Sequence, residues 1–365
     1  MFLQKLSLVN FRNLENQKIE FRNKLNVFFG DNAQGKTNLL EAIYMISSGK
    51  SFRTRVDHEL ITWGQSDCLL HAQAGFLDIE VKIGQTDKEF LINSQKSRLT
   101  ELIGSFIAIT FTPTDIEMVS GAPEKRRRFL DQIGAVLDRK YLFDIIQLGK
   151  VLRNRNQVLW QLKNGGKANL GVWTEQLVNI GARIWLFREE LVGKLNKELK
   201  SLGKKLTGNN LLIVYETPFK GKELKSLQQE YLAKLNLSER EEINKAVTLI
   251  GPQRDDLSLI SEELVNEKIV SKDLAIYGSR GEQRSAALAL KLSEVSLIEK
   301  ERSDAPVLLL DEVLSELDKK HRELLLKEIK RLQAFITTTS LDNLSLDKFG
   351  SVEKFEVLEG KVIVH

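Results

Sequence analysis

Apolar and polar positions alternate from Leu3 to Phe11, which predicts a β-strand, and residues 17–21 predict another. Leu25-Asn26-Val27-Phe28-Phe29 is nearly all apolar, the mark of a strand buried on both faces. From Asn38 to Met45 the apolar residues fall at helical spacing. Residues 69–76, 77–83 and 89–92 are short strand-like runs parted by Gly and Asp turns, and they predict an antiparallel patch. Residues 107–111 read as a further buried strand, closed by Thr112-Pro113. Beyond Asp115 the period changes. Leu148, Leu152, Leu159 and Leu162 recur at helical spacing, as do Trp173, Leu177, Ile180, Ile184, Leu191, Leu195 and Leu199. Residues 115–235 are expected to be mostly helical, with breaks at Gly165-Gly166 and Gly208-Asn209-Asn210. The pattern is interrupted too often for a long coiled coil.

Strand-like patterning returns over 249–260 and 268–276, and a long helix is expected over 281–301. Val307-Leu308-Leu309-Leu310 predicts a strand buried on both faces, 319–333 a helix, and 334–338 another core strand. Glu359-Gly360 joins two short strands as a closing hairpin. The fold class is therefore α/β, with a core split in sequence. Residues 1–114 with 295–365 are expected to form one lobe, with a mixed sheet and an antiparallel β patch. Residues 115–294 are expected to form an inserted, mainly helical lobe.

Composition narrows the class. The 365 residues are 42% hydrophobic and 28% charged, as in a globular chain. Net charge is only +4, from 54 basic and 50 acidic residues, so a polyanion would need a local patch. Aromatics at 7% do not supply many base-stacking platforms. Cys68 is the one cysteine, which excludes an internal disulfide and suits a reducing compartment. No apolar run approaches the ~20 residues of a membrane helix, and the start lacks a signal-peptide layout, so a cytoplasmic location is expected.

The candidate chemistry centres on Gly30-Asp31-Asn32-Ala33-Gln34-Gly35-Lys36-Thr37, which fits G-x-x-x-x-G-K-[ST] between a strand and a helix that opens at Asn38. Glycines let backbone N–H groups crowd phosphate oxygens, and the helix N-terminus adds partial positive charge. Lys36 would reach the β- and γ-phosphates of ATP, and the Thr37 hydroxyl would hold Mg²⁺. A second candidate ends the strand at 307–310, where Asp311 would hold Mg²⁺ and Glu312 would polarise the attacking water. A third is Ser279-Arg280-Gly281-Glu282-Gln283-Arg284, just before a helix. It reads either as an anion site or as an ordinary helix cap.

These pieces, in this order, resemble the nucleotide-binding head of the ABC ATPase superfamily, with Ser315-Glu316-Leu317-Asp318 in the place of its following Ser-x-Leu-Asp loop. Within the superfamily the chain resembles the RecF family of bacterial recombination-repair ATPases. That likeness runs through residues 8–14, the phosphate loop, residues 120–131, Gly251-Pro252-Gln253-Arg254-Asp255-Asp256 and residues 277–284. The resemblance implies that Gly30 to Asn38 bind ATP and that Lys36 and Glu312 are catalytic. It also implies that Ser279, Arg280, Gly281 and Gln283 act on the nucleotide of a second subunit, with Asp318 at the dimer seam. It implies a slow, DNA-dependent ATPase that dimerises head to tail on gapped or duplex DNA and works with RecO and RecR to load RecA. Two features depart from the wider ABC pattern. No histidine follows residues 334–338, where Thr338 or Thr339 takes the place of the switch His, and no lobe-linking Gln stands near 111–115. Both weigh against the rival reading, the ATPase subunit of an ABC transporter. A binding module with ATP as a structural ligand is opposed by the intact Lys36, Asp311 and Glu312.

The basic clusters are Lys125 to Arg128, then Lys150, Arg153 and Arg155, and then Lys204-Lys205. Arg126, Arg127, Lys150 and Arg153 are the candidates for DNA phosphates, against the plain alternatives of solvated helix faces or an Arg pairing with an acid between lobes. No base-reading motif is visible, so recognition would be of shape and backbone.

Overall fold

The computed structural model describes residues 2–266, 268–341 and 351–365. Two units divide it: Met1–Asp115 with Ile298–His365, and Ile116–Leu297. In the first unit the continuously apolar strands lie side by side. The sheet order is Lys361–Val364, Val352–Leu358, Leu25–Phe29, Ala334–Thr338, Val307–Asp311, Ala108–Phe111. Every pairing is parallel except the terminal hairpin. Strands of a parallel sheet are covered on both faces, which is why Val307, Leu308, Leu309 and Leu310 are each 0% exposed and show no alternation. The hairpin turns at Glu359 and Gly360 with φ of 46° and 75°, the two positive values of a type I′ turn.

The alternating strands form a second, antiparallel sheet in the order Leu14–Glu20, Leu3–Phe11, Asp67–Ala74, Leu77–Gly84, Lys88–Ile92, Gln95–Ser97. Helix Lys36–Ser48 packs against strands of both sheets, so residues from Leu39 to Ser47 are all buried. A helix covered on two sides shows little amphipathic contrast. Its buried polar groups are satisfied instead: Ser47 Oγ donates to Phe106 O at 3.0 Å, and Glu41 accepts both Arg12 Nε at 3.0 Å and Arg12 Nη2 at 2.9 Å. Phe21, Phe28, Phe335 and Phe355 meet in the core, with Phe21 edge-on to Phe335 at 4.7 Å. Each such side chain contributes roughly 1.5–3 kcal/mol on burial.

The second unit carries helices Pro123–Leu137, Arg139–Lys163, Gly171–Thr207 and Leu224–Lys245. Their shared core includes Tyr141, Leu148, Leu177, Ile184, Trp185 and Tyr231. Within the stretch expected to be helical, Asn210–Glu216 is a strand. It pairs with Asp256–Val265, which pairs with Lys268–Asp273, giving a three-stranded antiparallel sheet. Residues 249–255, expected to be extended, hold a short 3₁₀ turn at Pro252–Arg254 behind Gly251, whose φ is +149°. Beside that turn lies a buried polar network. Asp255 accepts Trp185 Nε1 and the Tyr215 hydroxyl, both at 2.5 Å, with Arg188 at 3.6 Å. Burial pushes the Asp255 carboxyl up to about 6, against the pull of those donors and of Arg188.

Candidate nucleotide site

Parallel register assembles the site. Leu310 pairs with Ile336 and Asp311 with Thr337, while Thr338 pairs with Phe29, so three strands end together at the carboxyl edge of the sheet. Gly30 follows Phe29 with φ of +143°, and a Cβ there would stand 2.5 Å from Val357 O. Only glycine fits that conformation and that gap. Gly35, at φ +116°, precedes the helix that begins at Lys36. Ala33 also has positive φ, at 67°.

The loop is held from outside by two turns. Gln34 O accepts Asn13 Nδ2 at 3.0 Å and Gly360 N at 3.1 Å, and Gln34 Oε1 accepts Glu359 N at 2.6 Å. Asn38 Nδ2 donates to Asn13 Oδ1 at 2.8 Å, and Asn38 Oδ1 accepts Arg53 Nη1 at 2.7 Å. Lys36 closes the loop from inside. Its Nζ, on a side chain only 3% exposed, donates to Gly30 O at 2.9 Å and Asp31 O at 2.8 Å, and lies 3.7 Å from Glu312 Oε1. Asp31 and Asn32 are exposed.

Thr37 Oγ1 donates to Asp311 Oδ1 at 2.8 Å. The Thr337 hydroxyl, 1% exposed, donates to the same oxygen at 2.8 Å and accepts Glu312 N at 2.9 Å. Glu312 has φ of 55°, a left-handed conformation uncommon for a residue with a side chain and frequent at functional sites. Thr337 therefore ties both carboxylate residues to one strand end, and sequence reading passed over it. Thr338, which shares with Thr339 the candidacy for the switch-His place, donates its hydroxyl to Ser340 O at 2.8 Å. The segment near Asp115 also closes on itself, Asp115 Oδ2 accepting Thr112 N at 2.9 Å.

The signature residues lie in the second unit, at the start of helix Arg280–Arg302. Ser279 and Glu282 cap that helix reciprocally: Ser279 N donates to Glu282 Oε2 at 2.8 Å and Glu282 N to Ser279 Oγ at 3.3 Å. Lys272 donates to Glu282 at 2.9 Å and, with the Ser279 donors, brings that carboxyl down to about 2. Ser279, Arg280 and Gly281 are exposed, and a Cβ on Gly281 would meet nothing within 4 Å. Gln283 differs from them. It is 8% exposed and its amide donates to Leu274 O at 2.8 Å, so it braces the turn beneath the three exposed residues. Asp318 caps helix Lys319–Ile329, accepting His321 N at 2.9 Å, and its side chain is 64% exposed.

Two of the four DNA candidates are spent internally. Arg126 forks onto Asp256 at 2.7 and 2.8 Å and donates to Gly121 O at 2.7 Å; Arg127 donates to Asp255 O at 2.5 Å. Asp256 lies in the same unit, so Arg126 pairs within the helical lobe and not between lobes. Arg155 is buried against Glu242 at 2.6 Å. Lys150 and Arg153 are exposed on helix Arg139–Lys163.

Mixed sheet, antiparallel sheet and helical unit together make the fold of an ABC-type ATPase head. The RecF/RecN/SMC N terminal domain matches residues 2–356. The protein named DNA replication and repair protein RecF in Alkaliphilus oremlandii is 36% identical over 99% of this chain and 100% of its own length. Its counterpart in Bacillus pumilus is 37% identical over the full length of both. A solved structure of the recombination mediator protein RecF with ATP superposes with TM-score 0.91 at 33% identity, covering 100% of this chain and 97% of that one. An SMC head bound to part of ScpA shares the fold, with TM-score 0.58 at 16% identity. The chain belongs to the RecF family, and the transporter reading is not favoured.

Proposed function

We propose that the chain binds ATP with Mg²⁺ at the phosphate loop, hydrolyses it slowly, and couples that cycle to head-to-tail dimerisation on DNA. The observation that carries this reading is the chain of contacts from Thr37 through Asp311 and Thr337 to Glu312. The donor set suits Mg²⁺: a hydroxyl and a carboxylate oxygen 2.8 Å apart, both hard oxygens. Phosphate oxygens and water would complete the shell. Thr37 and Asp311 would hold the ion, which neutralises phosphate charge when bound. Lys36 orients the phosphates, and Glu312 accepts a hydrogen bond from the attacking water.

Ser279 and Gly281 are the groups offered to the nucleotide of a second copy, in keeping with their exposure. Asp318 stands at the seam. DNA, in duplex or junction form, is the macromolecular ligand. RecR, RecO and RecA are the partners that the family relation suggests, in recombinational repair and replication restart. No helix among the described residues is long and apolar enough to cross a membrane. Lys36→Ala tests the nucleotide assignment. Titration with a fluorescent ATP analogue should show affinity reduced by at least tenfold, about 1.4 kcal/mol. Unchanged affinity would remove the phosphate loop from the reading.

A further inference from the structure

With Arg126 and Arg127 spent internally, a different surface meets the requirements of a phosphate-backbone site. The C-terminal third of helix Gly171–Thr207 borders a groove of about 520 Å³ lined by Lys197, Lys200, Ser201, Lys204, Lys205 and Asn210. All six are polar, four are cationic, and none is a carboxylate. At ~100° per residue, Lys197, Lys200 and Lys204 fall within about 60° of one another around the helix, and they span ~10 Å along it. All three are exposed, and no carboxylate of the described residues pairs with them.

The opposite face fixes this row in place. Leu195, Leu199, Leu202 and Leu206 are buried. Gly203 lets strand Asn210–Glu216 approach so closely that a Cβ would stand 2.9 Å from Leu211. Asn196 pins helix to strand through Ile213, donating to its O at 2.9 Å and accepting its N at 2.8 Å. Charge compensation at the helix end accounts for Lys204 and Lys205, which lie in the last turn. It does not account for Lys197 and Lys200, about two to three turns before the helix end, because the dipole acts only within the last turn.

We propose that this lysine row binds the phosphate backbone of duplex DNA, without regard to sequence. The proposal rests on the DNA-binding reading above. A protein partner would need apolar residues at its centre and a single strand would need stacking aromatics, and none of the six lining residues is either.

The test compares the wild type with the triple variant Lys197→Gln, Lys200→Gln, Lys204→Gln. Fluorescence anisotropy on a duplex of arbitrary sequence, with ATP, is read across a series of salt concentrations. Three lost phosphate contacts should flatten the slope of log K against log salt by about 2.7, and weaken binding by ~10²–10³-fold near 0.1 M salt. ATP affinity and melting temperature should stay at the wild-type level. A variant that binds with the wild-type slope overturns the groove and leaves the DNA reading standing. A wild type that binds ATP but no duplex at any salt overturns both.

Discussion

Thr337 ties two neighbouring carboxylate residues of the proposed site to one hydroxyl. It donates to Asp311 and accepts the amide of Glu312, a residue held at φ 55°. Such a backbone conformation costs on the order of 1–3 kcal/mol and persists only where neighbours enforce it. Thr337→Val keeps the shape and deletes both hydrogen bonds, leaving the Glu312 amide without its partner. Steady-state kinetics should show turnover reduced by about tenfold, a barrier change of ~1.4 kcal/mol, with ATP affinity within about twofold of wild type. Thr337→Ser should restore turnover. A parallel loss of ATP affinity, or no rescue by serine, would reduce Thr337 to a packing residue. The candidate glycines, Lys36, Thr37 and Asp311-Glu312 are legible in the sequence because the proposed chemistry demands fixed types at fixed spacing. Thr337 is not, because its role comes from register: only the pairing of 334–338 with both neighbouring strands brings it beside Asp311.

At the scale of elements, continuously apolar runs became the centre of the parallel sheet, which the mixed-pattern strand Val352–Leu358 joins at one flank, and alternating runs became the antiparallel one. The strand Asn210–Glu216 was hidden by its position straight after a 37-residue helix, although Leu211 and Ile213 alternate inward. Basic clusters misled for a related reason. Charge is visible in sequence, but the partners of Arg126 and Arg155, Asp256 and Glu242, are 130 and 87 positions away. The helical unit also carries a pH-sensitive element. Burial raises the Asp255 carboxyl from 3.8 to about 6, so the folded state keeps a proton that the unfolded chain has lost. Its stabilising contribution is full below about pH 4 and is lost as pH rises through about 6, a change on the order of 3 kcal/mol. Denaturant unfolding of wild type and Asp255→Asn should give a stability difference that shifts against the wild type between pH 4 and 7. A difference independent of pH would mean that Asp255 titrates as an ordinary surface carboxylate.

For the whole molecule, the proposed function makes the phosphate loop one part of a site whose other part would lie on the helical unit of a second copy. Exposed Ser279, Arg280 and Gly281, with Ile276 and Tyr277 beside them at 70% and 69% exposure, form the face that would meet the partner's nucleotide. Ser279→Arg should keep ATP affinity and abolish both ATP-driven dimerisation and turnover. Lost ATP affinity in that variant as a monomer would place the signature on its own chain's nucleotide. The most direct measurement is the solution mass of Glu312→Gln by light scattering coupled to size exclusion, without and with ATP. Removing the carboxylate proposed to activate water would leave the phosphate contacts intact, so the variant should be a monomer alone and a stable dimer with ATP. A monomer under both conditions, with ATP demonstrably bound, would contradict the shared site.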